Sequence, residues 1–243
     1  MLVARGARVL IADLDGARAT AATEGFPAGS VAAAEVDVSA AASVAGMIER
    51  AVGIWGGIDG LFNNAGIMPA EDGDATETDE AVWDRVVAVN MKSVYLCCRF
   101  AIPAMLASGG GAIVNNASIV AALGSWPSQI AYTASKGGVI AMTRELGVAW
   151  ARRGIRVNAI LPGITRTAMV DRLQSTQDGE AHGRRLDHIP AGRYAEPEEI
   201  GETVAFLLSD RASYITAQNW PVDGGMTGAY LCPPFPDGGD GRT

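Results

Sequence analysis

The segment Ala131-Tyr132-Thr133-Ala134-Ser135-Lys136 carries the sharpest chemical signal in the chain. Tyr132 and Lys136 are four residues apart, so on a helix they share a face. A phenol with its ordinary pKa of about 10 is a poor base at neutral pH. An ammonium beside it favours the phenolate and lowers that value. The pair is therefore a candidate general acid/base unit. Alone, it fits a packed tyrosine beside a solvated lysine equally well. Ser118 adds weight: it lies fourteen residues before Tyr132 and directly follows the apolar run 112–117.

These residues need elements to position them. Short apolar runs alternate with longer helical patterns along the whole sequence. Strands are predicted over 8–13, 31–38, 59–63, 112–117, 155–161 and 219–222. Helices are predicted over 16–24, 41–55, 130–153 and 197–208, with one or two more inside 80–107. Strand–helix–strand repetition means parallel strands joined by helical crossovers. The strands are rich in Val, Ile and Ala with little alternation, as sheets covered on both faces require. The expected fold class is α/β, a Rossmann-like doubly wound parallel sheet with helices on both faces. In such sheets ligands bind beyond the carboxyl ends of the strands. Those ends carry Asp13, Asp37-Val38, Asn63-Asn64-Ala65-Gly66, Ser118 and Pro162-Gly163.

Composition narrows the function. The 243 residues are 49% hydrophobic and 19% charged, with net charge -8. That length supports one substantial core, expected over 1–228, with a Pro/Gly-rich tail over 229–243. An acidic surface disfavours nucleic acid and anionic membranes as partners. No apolar run reaches the roughly 18 residues of a membrane span, and no signal peptide opens the sequence. Cys97, Cys98 and Cys232 do not form a disulfide framework and read as reduced thiols of a cytoplasmic protein. His182 and His188 lack an apparent third ligand, so no metal is expected.

The sequence resembles the short-chain dehydrogenase/reductase family of NAD(P)-dependent enzymes. The resemblance rests on Asn63-Asn64-Ala65-Gly66, Asn90, Ser118, Tyr132 to Lys136, Pro162-Gly163 with Thr167, and Val222-Asp223-Gly224-Gly225, in family order and near family spacing. It implies hydride transfer between a nicotinamide cofactor and a secondary alcohol or ketone. Tyr132 is then the general acid/base. Lys136 lowers its pKa and hydrogen-bonds the nicotinamide ribose, Ser118 holds the substrate oxygen, and Asn90 supports a relay water. Asn63, Ala65 and Gly66 line the adenosine side, while Pro162, Gly163, Thr165 and Thr167 meet the carboxamide and phosphates. Asp37 and Val38 match the usual adenine contact. Thr165 stands where the family commonly has Ile or Val.

Asp13 bears on cofactor choice. An acid ending the second strand accepts hydrogen bonds from a ribose 2′-hydroxyl and repels a 2′-phosphate, so NAD is expected over NADP. The resemblance further implies a homotetramer or homodimer, paired through the helices around 90–107 and 132–153. Segment 167–189 is expected to cover the substrate, and Trp126 to wall the pocket.

One expected part is not found. The dinucleotide fingerprint places its acid about 20 residues after a glycine loop, and only twelve residues precede Asp13. Gly109-Gly110-Gly111 precedes its strand and cannot serve. Residues 1–5 then read as the last turn of a first helix whose strand and loop are missing. The expectation is an upstream start, a truncated and inactive chain, or two half-sheets closing directly on each other. The alternative to an enzyme is accordingly a non-catalytic member: a scaffold, regulator or fragment unable to bind dinucleotide.

Overall fold

The computed structural model describes residues 1–167 and 186–229. Its strands are β1 (Val9–Asp13), β2 (Val31–Glu35), β3 (Gly60–Asn63), β4 (Gly111–Asn116), β5 (Ile155–Pro162) and β6 (Asn219–Val222). The α-helices are α1 (Gly16–Ala21), α2 (Ala41–Trp55), α3 (Glu80–Val87), α4 (Ser93–Ala107), α5 (Ile130–Trp150) and α6 (Pro197–Leu208). All strand pairs are parallel. The fold is the expected α/β arrangement of Rossmann type.

The strands form two separate sheets. β3-β4-β5-β6 make one, and β1-β2 make the other, in register from Val9↔Val31 to Asp13↔Glu35. Among the described residues no ladder joins β1 to β3. Direct closure of the half-sheets is therefore not what the structure contains. A cavity of about 320 Å³ lies near the starts of these two strands, lined by Arg8, Trp55, Gly57 and Asp59 among others. Residues Val3–Arg5 form a single 3-10 turn, closed by Gly6 at φ 86°.

The larger sheet is covered on both faces. Successive strand residues point to opposite sides. Ile113 joins Val157, Met105 and Val139 on one side, while Val114 joins Ile160, Val204 and Leu207 on the other. Helices α2, α4 and α5 supply the first layer and α6 the second. The glycines before β4 have a backbone role: Gly110 sits at φ 123°, where a Cβ would lie 2.4 Å from the Gly154 carbonyl oxygen.

Some boundaries differ from expectation. β2 ends at Glu35, so Asp37 and Val38 belong to the following loop. The stretch 80–107 is interrupted by a π-helical turn, Ala88–Lys92, between α3 and α4. Taken whole, Glu80–Ala107 is long and apolar enough to cross a bilayer by length and composition, contrary to the sequence expectation. Here it packs as a core element, burying Val86, Val94, Leu96, Ala101 and Met105. Cys97 and Cys98 are free and buried, and burial pushes their thiols up to about 11 and about 12.

Candidate active site

Three of the singled-out side chains meet beyond the end of β4. Ser118 is buried and opens a 3-10 turn, Ile119–Ala121, through a bond from Val120 N–H to its Oγ at 3.4 Å. Its hydroxyl faces the phenol of Tyr132, the third residue of α5, closely enough to influence that phenol's ionisation. Lys136, one turn on, is buried, and its Nζ donates to the Asn116 carbonyl at 2.6 Å. The Nζ lies 5.6 Å from the Tyr132 ring centroid.

The electrostatics depart from the simple Tyr–Lys expectation. Burial pushes the Tyr132 phenol up, and the neighbouring Ser118 hydroxyl pulls it partly back. Burial also lowers Lys136 to about 8. Both shifts have the same cause, since a low-dielectric site disfavours each charged form.

Asn90 lies within the π-helical turn, 1% exposed. Its Oδ1 accepts from Ile67 N–H at 2.8 Å, and its Nδ2 donates to the Ile67 carbonyl at 2.9 Å and to Ser135 Oγ at 3.2 Å. Both ends of the side-chain amide are engaged, so Asn90 clasps the loop after β3 to α5. Gly66 belongs to that loop. A Cβ there would lie 3.4 Å from Asn90 Oδ1 and 3.5 Å from Lys136 Nζ. The backbone thus passes within van der Waals reach of both groups.

The remaining candidates divide. Asn63 does not face the groove with its side chain: its Nδ2 donates to Asn115 Oδ1 at 2.8 Å inside the sheet, and Asn115 donates to Thr143 Oγ1 at 2.9 Å. Ala65 and Gly66 are exposed. Gly163 stands at the end of β5, its N–H bonded to the Val222 carbonyl, and a Cβ would lie 2.8 Å from Asp223 Cα. Thr165 bridges to Ala195, following Pro162, and Thr167 is exposed. Asp13 ends β1 half-buried and accepts one bond, from Asp15 N–H at 2.9 Å. The Asp37 carboxylate is turned to Ser39, whose N–H and hydroxyl bond it and hold it below the usual carboxylate range. Val38 packs against the Val44–Leu96–Cys97 cluster. Trp126 is 93% exposed, so it walls no pocket here. Segment 168–185, with His182, lies outside the described residues, as do Cys232 and the tail from 230 on.

Two features of the site are not visible in the sequence. One is Asp72, buried against the start of α5 and bonded to the backbone of Tyr132. The other is Asn116. Its Nδ2 donates to Asn64 Oδ1 at 3.0 Å, and its own Oδ1 is buried with no partner.

The family description Enoyl-(Acyl carrier protein) reductase matches residues 1–227. The chain is a short-chain dehydrogenase/reductase. It is 39% identical to 2-(S)-hydroxypropyl-CoM dehydrogenase 3 of Xanthobacter autotrophicus, over 91% of this chain and 88% of that one. It is 40% identical to the inactive 2-(S)-hydroxypropyl-CoM dehydrogenase 2 of the same organism, over 93% and 97%. Among solved structures, levodione reductase superposes with TM-score 0.87 at 36% identity, covering 94% of this chain and 91% of its own.

Members of this oxidoreductase family use nicotinamide dinucleotides. The residues present fit the nicotinamide end of such a group. Among the described residues a buried acceptor, Asn116 Oδ1, lacks a partner, and the Lys136 ammonium, with three N–H donors, gives one hydrogen bond, to the Asn116 carbonyl. Asn116 ends β4 and its main-chain carbonyl holds the Lys136 Nζ, at the strand end where this fold class receives ligands.

Proposed function

We propose that this short-chain dehydrogenase/reductase transfers a hydride between NAD(H) and a secondary alcohol or ketone, with Tyr132 as general acid/base. The observation that carries this reading is the convergence of buried Ser118 and Lys136 on Tyr132, with the Lys136 Nζ bonded to the Asn116 carbonyl at the carboxyl end of β4 and 5.6 Å from the Tyr132 ring centroid. The cofactor, when bound, supplies or accepts the hydride at the substrate carbon. The chain's own residues handle the oxygen. Ser118 holds it by hydrogen bonding and Tyr132 gives it a proton in the reductive direction. A phenol kept protonated by burial suits that donor role. Lys136 holds the cofactor ribose and helps restore the proton. The Asn90 side chain is engaged with Ile67 and Ser135, so a relay water at this residue would use its main-chain carbonyl.

Asp13 supports NAD over NADP, because its half-buried carboxylate keeps acceptor capacity at the end of β1. The exposed Tyr95 and Val148, on α4 and α5, support pairing of these helices in a homodimer or homotetramer. Free buried thiols support a cytoplasmic setting. The test is ketone reduction with NADH by the 243-residue chain, against Tyr132→Phe. Equal turnover by both would refute the assignment.

A second reading is favoured by the split sheet. With β1-β2 apart from β3–β6, the chain is a non-catalytic member that does not hold dinucleotide. Calorimetric titration with NADH separates the two. Saturable binding eliminates the second, and no binding by a folded chain eliminates the first.

A further inference from the structure

A helix leaves its first backbone N–H groups without intrahelical partners. In most helices a nearby Ser, Thr, Asp or Asn accepts from them. Helix α5 is different. Its N-cap, Gln129, makes no side-chain cap, and three successive N–H groups go instead to one distant loop. Ile130 N–H donates to the Gly73 carbonyl at 3.0 Å. Ala131 N–H donates to Asp72 Oδ1 at 2.9 Å, and Tyr132 N–H to Asp72 Oδ2 at 2.8 Å.

We propose that Asp72 is a positioning residue for Tyr132: its carboxylate grips the backbone of the first turn of α5 and fixes that turn against the loop following β3. The inference rests on Tyr132 being the proton donor.

A cap needed only to form the helix would work from position 129. Asp72 is 60 residues from Tyr132 in sequence, so its two bonds set where the helix stands, not merely whether it forms. Asp72 is 5% exposed. Among the described residues its partners are these two N–H groups and, at 3.5 Å, the Thr78 hydroxyl, with no cation beside it. An anion at a helix N-terminus is favoured by the aligned peptide dipoles, and charge-assisted bonds are the strong kind.

The other end of the same loop is fixed as well. Asn90 holds Ile67 by both its N–H and its carbonyl, and bonds Ser135, the neighbour of Lys136. The loop is thus tied to α5 at two places, one at Tyr132 and one next to Lys136. Gly66 directly precedes the first of these ties. Loosening Asp72 should shift Tyr132 relative to Ser118 while leaving the Lys136 end held by Asn90.

The experiment compares wild type, Asp72→Ala, Asp72→Asn, Asp72→Ala with Gln129→Asp, and Gln129→Asp alone. Turnover of ketone with NADH, KM for NADH and thermal midpoint are measured for each. Asp72→Ala is expected to lower kcat about 10- to 100-fold, the penalty for misplacing a reacting group by about an ångström. KM for NADH should change less than about threefold, since uniform binding is untouched. Asp72→Asn keeps the size and one acceptor, and is expected to fall between wild type and Asp72→Ala. The decisive variant is the double one, because an aspartate at 129 can accept from the same two N–H groups. If Asp72 positions Tyr132, the double variant regains the thermal midpoint but not kcat. If Asp72 only caps the helix, both return together and the proposal is overturned. It is also overturned if Asp72→Ala keeps wild-type kcat while Tyr132→Phe loses it, which leaves the Tyr132 assignment standing. Wild-type turnover unaffected by Tyr132→Phe overturns both.

Discussion

The two sheets of this molecule are built to different standards. In β4 and β5 all but the flanking positions and Arg156 are buried, and a polar chain from Asn63 through Asn115 to Thr143 crosses their interior. In β1 and β2 no residue is buried. Ser118, Tyr132 and Lys136 stand on the dense part, whereas Asp13 and Asp37 stand on the thin one. Reacting groups must be held to fractions of an ångström, and a packed sheet with satisfied polar groups does that. A carboxylate that reads a ribose hydroxyl needs less, since it can follow its ligand.

The largest effect expected from this contrast is at Tyr132. Tyr132→Phe should lower turnover about 100- to 10,000-fold, the range for losing a general acid, with NADH affinity by calorimetry nearly unchanged. A comparable loss of affinity would show that the dense half also governs binding.

Stability should differ between halves in the same direction. Ile113 in β4 is fully buried, and Ile113→Ala should cost about 2–5 kcal/mol in urea unfolding. Leu10 in β1 is partly buried against the same core, and Leu10→Ala should cost about 1 kcal/mol. Equal losses would break the comparison.

Lys136 sharpens it through pH. Its folded value of about 8 lies below its ordinary 10.5. Between those values the unfolded chain binds more protons, so stability rises with pH across the window. Below pH 8 the buried charge costs about 3 kcal/mol, from 1.36 kcal/mol per pKa unit. Lys136→Met should remove that slope, as thermal midpoints measured from about pH 7 to pH 10 would register.

The smallest effect is at Asp13. Asp13→Ser removes the charge that repels a 2′-phosphate and should narrow the preference for NADH over NADPH about tenfold, or about 1.4 kcal/mol. Unchanged selectivity would mean that the thin half does not read the ribose.

Much of this was legible in the sequence because it is local. The parallel α/β order follows from alternating apolar runs, and α2 and α6 match their predicted spans. Tyr132 and Lys136 share a helical face by spacing alone. What escaped is non-local. Asp72 caps a helix whose first residue is 58 positions away, and no short pattern marks such a pair. The π-helical turn at Asn90 lies in an apolar stretch whose periodicity reads as continuous helix. The inward turn of Asn63 is decided by its partner Asn115 on the neighbouring strand, and the sequence offers no sign of which of Asn63 and Asn64 faces in. The apolar run extends to Asp37 in the sequence, but the chain leaves the ladder at Glu35 and the Asp37 carboxylate closes a local turn with Ser39.

The paired thiols of α4 give the dense half a clock. Cys97 and Cys98 are packed under the sheet and disfavoured as thiolates, and the thiolate is the form that reacts. An alkylating reagent can therefore modify them only when α4 lifts away from its neighbours. With Cys232 replaced by serine, the labelling rate counts those openings directly. A bound dinucleotide should slow that count to the extent that it favours the closed arrangement over the open one.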